Sequence, residues 1–136
     1  MVNHLEEKDF FWLLKMNNKV IYTTIFGEYD TLVDPHFIER GWDFICFTDN
    51  ENLSSKVWKI VKCTPYYIDL TRSAKRYKVL PHRFLKDYEY SIFIDGNLTV
   101  RGYVDQLINS CNVSFFNHAQ NKLDPRNCIY KEADAI

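Results

Sequence analysis

Five segments of this chain are apolar, β-branched or aromatic almost without a break: "VIYTTIF" over 20–26, "FICFT" over 44–48, "VWKIV" over 57–61, "YSIFI" over 90–94 and "VSFF" over 113–116. A strand with one wet face alternates apolar and polar residues. A near-continuous run suits a strand covered on both faces, which is the condition of a parallel sheet. The segments between the runs are long and partly helical, so the expected fold class is α/β: a mostly parallel, Rossmann-like sheet flanked by helices. The expected organisation is a single domain over 1–136, with residues 1–18 as an N-terminal helical extension. Leu98–Val100 reads as a short extension of the fourth strand, "VDQLI" as a helical turn or two, and the tail "RNCIYKEADAI" as helical.

In a parallel α/β sheet, ligands bind beyond the carboxyl ends of the strands. Those ends here are rich in carboxylates. The first run is followed by Glu28, Tyr29 and Asp30, the second by Asp49, and the fourth by Asp95 and Asn97. Carboxylate and amide oxygens are hard ligands suited to Mg²⁺ or Mn²⁺ shared with a phosphate. The rival reading of Asp95-Gly96-Asn97 is a two-residue hairpin turn, a common use of such residues between apolar runs.

The segment "RSAKRYKVLPHRFL" reads as a helix capped by Thr71 and kinked or split at Pro81. At 100° per residue, Arg72, Lys75, Arg76, His82 and Arg83 fall within an arc of roughly 120°. Ala74, Tyr77, Leu80, Phe84 and Leu85 lie on the other side and are expected to pack on the sheet. The basic side is either a solvated face or a grip for a diphosphate, with arginine suited to bidentate phosphate contacts. One further resemblance fails: "FIDGNLT" looks like a phosphatase D-x-D-G-T-L loop, but the nucleophilic Asp position is occupied by Phe93.

Composition narrows the class. Hydrophobic residues make up 46% of the 136-residue chain, too many for a disordered one. With 17 basic and 18 acidic residues, no global field favours nucleic acid. The N-terminal apolar run, Phe10 to Leu14, is too short to span a membrane and its acidic lead-in does not suit a signal peptide. Cys46, Cys63, Cys111 and Cys128 form no C-x-x-C pair and read as reduced thiols of a cytoplasmic protein. His4 and His36 read as solvent-exposed, and Trp12, Trp42 and Trp58 as packing anchors.

The stretch "RSAKRYKVLPHRFLKDYEYSIFIDGNLTV", with "IYTTIFGEYD" and "FICFTDN" before it and "RNCIYKEADAI" after it, resembles a glycosyltransferase-like domain family of plants, bacteria and viruses. That family includes mucilage-related and ceramidase-labelled plant proteins and is distantly similar to glycosyltransferase family 8. The resemblance implies a GT-A fold that binds a nucleotide sugar. Asp95 and Asn97 stand where its metal-binding D-x-D pair stands, with Asn in place of the second Asp, and Mn²⁺ or Mg²⁺ is the implied cofactor. Thr24 and Tyr29 would lie near the nucleotide base, Asp49 near base or ribose, and Arg72, Lys75 and Arg76 near the diphosphate and sugar. Arg126, Tyr130 and Glu132 would belong to the sugar or acceptor side, with Glu132 as a base for an acceptor hydroxyl. The implied partners are a nucleotide-sugar donor and a glycan, lipid or protein acceptor. Complete GT-A domains are considerably longer, so a fragment of a larger transferase and a non-catalytic nucleotide-binding module stand as alternatives to the enzyme.

Overall fold

The computed structural model describes residues 17–111 and 113–114. By their internal contacts, Met1–Gln106 and Leu107–Ile136 are separate compact units. The first holds a four-stranded, wholly parallel sheet: β1 (Lys19–Ile25), β2 (Trp42–Thr48), β3 (Lys59–Lys62) and β4 (Tyr90–Phe93), in the order β3-β2-β1-β4. Two helices, α1 (Leu70–Val79) and α2 (Pro81–Phe84), lie in the connection from β3 to β4. The fold is therefore α/β and Rossmann-like, as the apolar runs imply. No helix among the described residues is long and apolar enough to cross a membrane.

The two inner strands carry seven residues each and are buried along most of their length. Their alternate residues face opposite ways. On one face, Val20, Tyr22, Ile45 and Phe47 meet Tyr77 and Leu85 of the helical connection, with Ala74 and Phe84 packed against them. This is the apolar helix side expected from spacing. Phe47 is the hub: its ring stacks on Tyr77 at 4.8 Å and meets the edges of Tyr22 at 6.5 Å and Phe84 at 6.1 Å. Such ring pairs add to the burial energy. On the other face, Phe44 packs edge-on against Trp58 at 5.2 Å, and the Trp58 indole donates to Val33 O at 3.0 Å.

Several boundaries differ from the sequence expectation for local reasons. Asp69, not Thr71, caps α1, its Oδ1 accepting from Arg72 N at 3.2 Å. Thr71 is already inside the helix. Pro81 does split the helix, sitting in the first turn of α2 where its missing N–H costs nothing. β3 starts at Lys59 rather than Val57, because the amides of Val57 and Trp58 both donate to Ser55 Oγ, at 3.0 and 2.9 Å, and are lost to the ladder. Leu98–Val100 is not a strand; Val100 O accepts instead from His36 N at 2.9 Å and Phe37 N at 3.1 Å. "VDQLI" contributes a single 3-10 turn, Asp105–Leu107. Val113 and Ser114 are not in a strand. Phe115, Phe116, the helical extension over 1–16 and the helical tail lie outside the described residues. In the second unit, Asn109 Oδ1 accepts from Cys111 N at 2.8 Å and its amide donates to Ser114 Oγ at 3.0 Å.

Burial also sets the ionisation of the core. Burial pushes the Tyr22 phenol up to about 12; its hydroxyl donates to Lys78 O at 3.1 Å. Burial, aided by a hydrogen bond with Cys63, does the same for Tyr77. The Cys46 thiol is pushed up to about 12 by burial, with Lys62 acting in the opposite sense. Tyr88 is raised further still, by burial and then by its bond to Asp43, whose Oδ2 it reaches at 2.6 Å.

One buried polar atom has no partner among the described residues: Thr23 Oγ1, on a residue with no solvent exposure. A lone hydroxyl in an apolar setting is a desolvation cost without return. Thr23→Val is expected to raise the unfolding free energy by about 1 kcal/mol in a urea titration. A loss of similar size would mean that the hydroxyl has found a partner.

Candidate functional site

The strand order places a topological switch beside β1. From β1 the chain steps outward to β2 and β3, then crosses over the sheet through α1 and α2 to arrive as β4 on the other side of β1. The chain leaves β1 towards β2 on one side, while β4 is reached by a crossover to the other side, and the crevice between the carboxyl ends of β1 and β4 is where open α/β sheets bind ligands. An open cleft of about 220 Å³ lies there. Thr24, Ile25 and Phe26 line it from the end of β1, Tyr29 and Asp30 from the loop that follows, and Phe93 and Asp95 from the end of β4. Helix α1 closes it with Thr71, Ala74, Lys75 and Lys78.

Local geometry explains how the walls are set. Gly27 and Glu28 both adopt left-handed backbone, with φ of 68° and 59°, which turns the chain sharply out of β1. Glycine is favoured at the first position by that left-handed backbone, and a Cβ there would also crowd Leu70 Cδ1 at 2.7 Å and the Tyr29 ring at 2.9 Å. Asp49, at the end of β2, pins the turn by accepting from Gly27 N at 3.0 Å. Asp95-Gly96-Asn97 is a genuine turn, closed by Leu98 N donating to Asp95 O at 2.9 Å. It returns no antiparallel strand, so it is not a hairpin. Gly96 O accepts from Val33 N at 3.1 Å, tying this turn to the loop after β1.

The expected site residues divide. Thr24, Tyr29, Lys75 and Asp95 are brought together around the cleft. Asp49 serves the adjoining turn and does not line the cleft. Arg72 and Arg76 point elsewhere: their guanidinium groups lie 4.5 Å from the Tyr67 ring and 4.1 Å from the Tyr66 ring. The basic arc of α1 is thus split, with arginines spread over the loop before the helix and lysines left to the cleft. The Tyr67 backbone reinforces the split, its N and O both bonded to buried Ser73 Oγ at 2.9 and 3.0 Å. Asn97 is exposed on the turn and does not line the cleft. Arg126, Tyr130 and Glu132 lie outside the described residues.

The cleft also recruits Asp30, one of the carboxylates that follow the strands, together with Thr71, Phe93 and Lys78, which the sequence does not assign to a site. Thr71, Lys75 and Lys78 follow the i, i+4, i+7 rule of one helical face, a signal hidden when the basic arc is centred on Arg72. Lys78 Nζ lies 3.8 Å from Asp95 Oδ1 and 4.5 Å from the centre of the Phe93 ring.

A divalent ion held through a D-x-D-type pair needs both members at one place. Only Asp95 of the pair lines the cleft, and its carboxylate faces an ammonium group. Asp30 adds a second carboxylate to the lining, yet among the described residues no three His, Cys, Asp or Glu side chains gather to hold an ion. These residues do not fit the paired metal site that the motif implies.

No curated protein and no solved structure matches this chain. The model of a family described as TOD1/MUCI70, glycosyltransferase-like domain, matches residues 46–136, which include the end of β2, all of β3 and β4 and both helices. The match covers well over half of the sequence, and the chain therefore belongs to the TOD1/MUCI70 glycosyltransferase-like domain family.

Proposed function

We propose that this chain is a nucleotide-sugar-dependent glycosyltransferase domain whose donor diphosphate binds in the cleft between the carboxyl ends of β1 and β4. The observation that carries the reading is the meeting of Thr24, Tyr29, Lys75 and Asp95 at the switch point of the sheet. Sugar transfer leaves a nucleoside diphosphate as the leaving group, and cationic side chains aimed at it stabilise the charge that develops. Lys75 and Lys78 are such groups. Tyr29 is 76% exposed and offers an aromatic face at the rim, where a nucleotide base can stack. Arg126, Tyr130 and Glu132 are assigned to the sugar and acceptor side, Glu132 as the base for a glycan, lipid or protein hydroxyl.

The test is calorimetric titration of UDP and GDP into the full chain, alongside Thr71→Trp, an exposed position on the cleft wall. One nucleotide is expected to bind saturably, and the indole to weaken it by about tenfold or more through steric exclusion. Absence of saturable binding by either nucleotide sinks the proposal. A second reading, a non-catalytic nucleotide module, is favoured by the position of Asn97 outside the cleft. Nucleotide release from a panel of donor sugars separates the two, since a module would bind without turnover.

A further inference from the structure

Lys78 is anchored in the cleft wall through its backbone. Tyr22 OH donates to its carbonyl at 3.1 Å, fixing the last turn of α1 to the central strand of the core. Its side chain then runs over the Phe93 ring and ends 3.8 Å from Asp95. Asp95 is the carboxylate to which a D-x-D site would bring its metal. The ammonium of Lys78 thus stands beside the group that such an ion would bridge to the phosphates.

The charges of the lining support the same view. Asp30 and Asp95 are matched by Lys75 and Lys78, three residues apart on one helix. The Lys78–Asp95 pair is half exposed, with side-chain accessibilities of 51% and 60%. Such pairs hold weakly, so Lys78 can leave Asp95 for a phosphate oxygen at little cost. Its three N–H donors and point charge suit that contact.

We infer that Lys78 is the cation that meets the donor diphosphate in place of a divalent metal, with Asp95 as the carboxylate that holds Lys78 ready. This deepens the donor-binding reading above and rests on it. It predicts that diphosphate binding is independent of divalent metal and dependent on Lys78.

The experiment is calorimetric titration of UDP and of inorganic pyrophosphate into the full chain, in EDTA and again in Mn²⁺, with wild type, Lys78→Gln, Lys78→Arg and Asp95→Asn. Circular dichroism checks that each variant is folded. The expected result is binding in EDTA within about threefold of that in Mn²⁺. Lys78→Gln should weaken it by about 10- to 100-fold, the loss expected for one charged hydrogen bond. Lys78→Arg should retain most of it, and Asp95→Asn, which removes the carboxylate that orients Lys78, should weaken it less than Lys78→Gln does, in EDTA and in Mn²⁺ alike. Binding that needs Mn²⁺ and is lost in Asp95→Asn overturns the inference and leaves the donor reading standing. Lys78-dependent binding of pyrophosphate in EDTA, with UDP no tighter, supports the inference and counts against the donor reading. Failure of both probes in both conditions overturns the two together.

Discussion

Phe47→Ala is expected to lower the unfolding free energy by about 3–5 kcal/mol. Phe47 is 5% exposed and is the ring on which the sheet and its helical cover meet, touching Tyr22 of β1, Tyr77 of α1 and Phe84 of α2. Truncation removes the transfer energy of the ring and leaves a cavity bounded by three other rings, which cannot collapse without moving the helix. Domains of this size have about 5–15 kcal/mol in total, so a large part of the population should unfold at modest urea concentrations. Val79→Ala is the control: Val79 is on the same connection but 70% exposed, and should cost less than about 0.5 kcal/mol. Denaturant titration followed by circular dichroism measures both. Equal costs at the two positions would show that the helical connection does not form the principal core.

The second large effect is alkaline. Tyr22 and Tyr77 ionise near 10.0 when solvated and Cys46 near 9.0, and in the folded chain all three are pushed up to about 12, with Tyr88 also raised. The folded state therefore keeps protons that the unfolded state has released, and stability falls as pH rises across that interval. The contribution is complete below about pH 9, declines between there and pH 12, and is lost above. Two units of displacement correspond to about 3 kcal/mol for a group as buried as Tyr22. Urea midpoints measured from pH 8 to pH 11.5 should drop steadily, and Tyr22→Phe should flatten part of that slope. A midpoint that holds constant through pH 11.5 would refute the assignment.

The parallel sheet was legible because its inner strands are apolar on both faces. "VIYTTIF" and "FICFT" have almost no other place to go. The ends of elements were less legible, since they depend on single hydrogen bonds. Ser55 takes two amides from β3, and Asp69 outcompetes Thr71 as the cap of α1. In the cleft, Asp95 and Tyr29 were readable as residues that follow strands. The division of the basic arc was not, because it depends on Tyr66 and Tyr67 folding back under the arginines, a contact set by the loop rather than by helical period. Lys78 lies on the flank of that arc, and only the arrival of β4 beside β1 brings Asp95 to it.

The outer strands of the sheet have a consequence for solubility. Among the described residues β3 and β4 form its two margins, and each is only four residues long against seven for the strands between them. A long bare margin invites a strand from another molecule to pair with it; brevity and lysine are the usual deterrents. β3 reads "KIVK", with exposed Lys59 and Lys62 at either end of the apolar pair. Lys62 is further engaged, donating to the carbonyls of Asn50 and Leu53. A second chain docking along β3 would have to bring its backbone past two ammonium groups for the sake of two apolar residues, so this margin resists edge-to-edge aggregation.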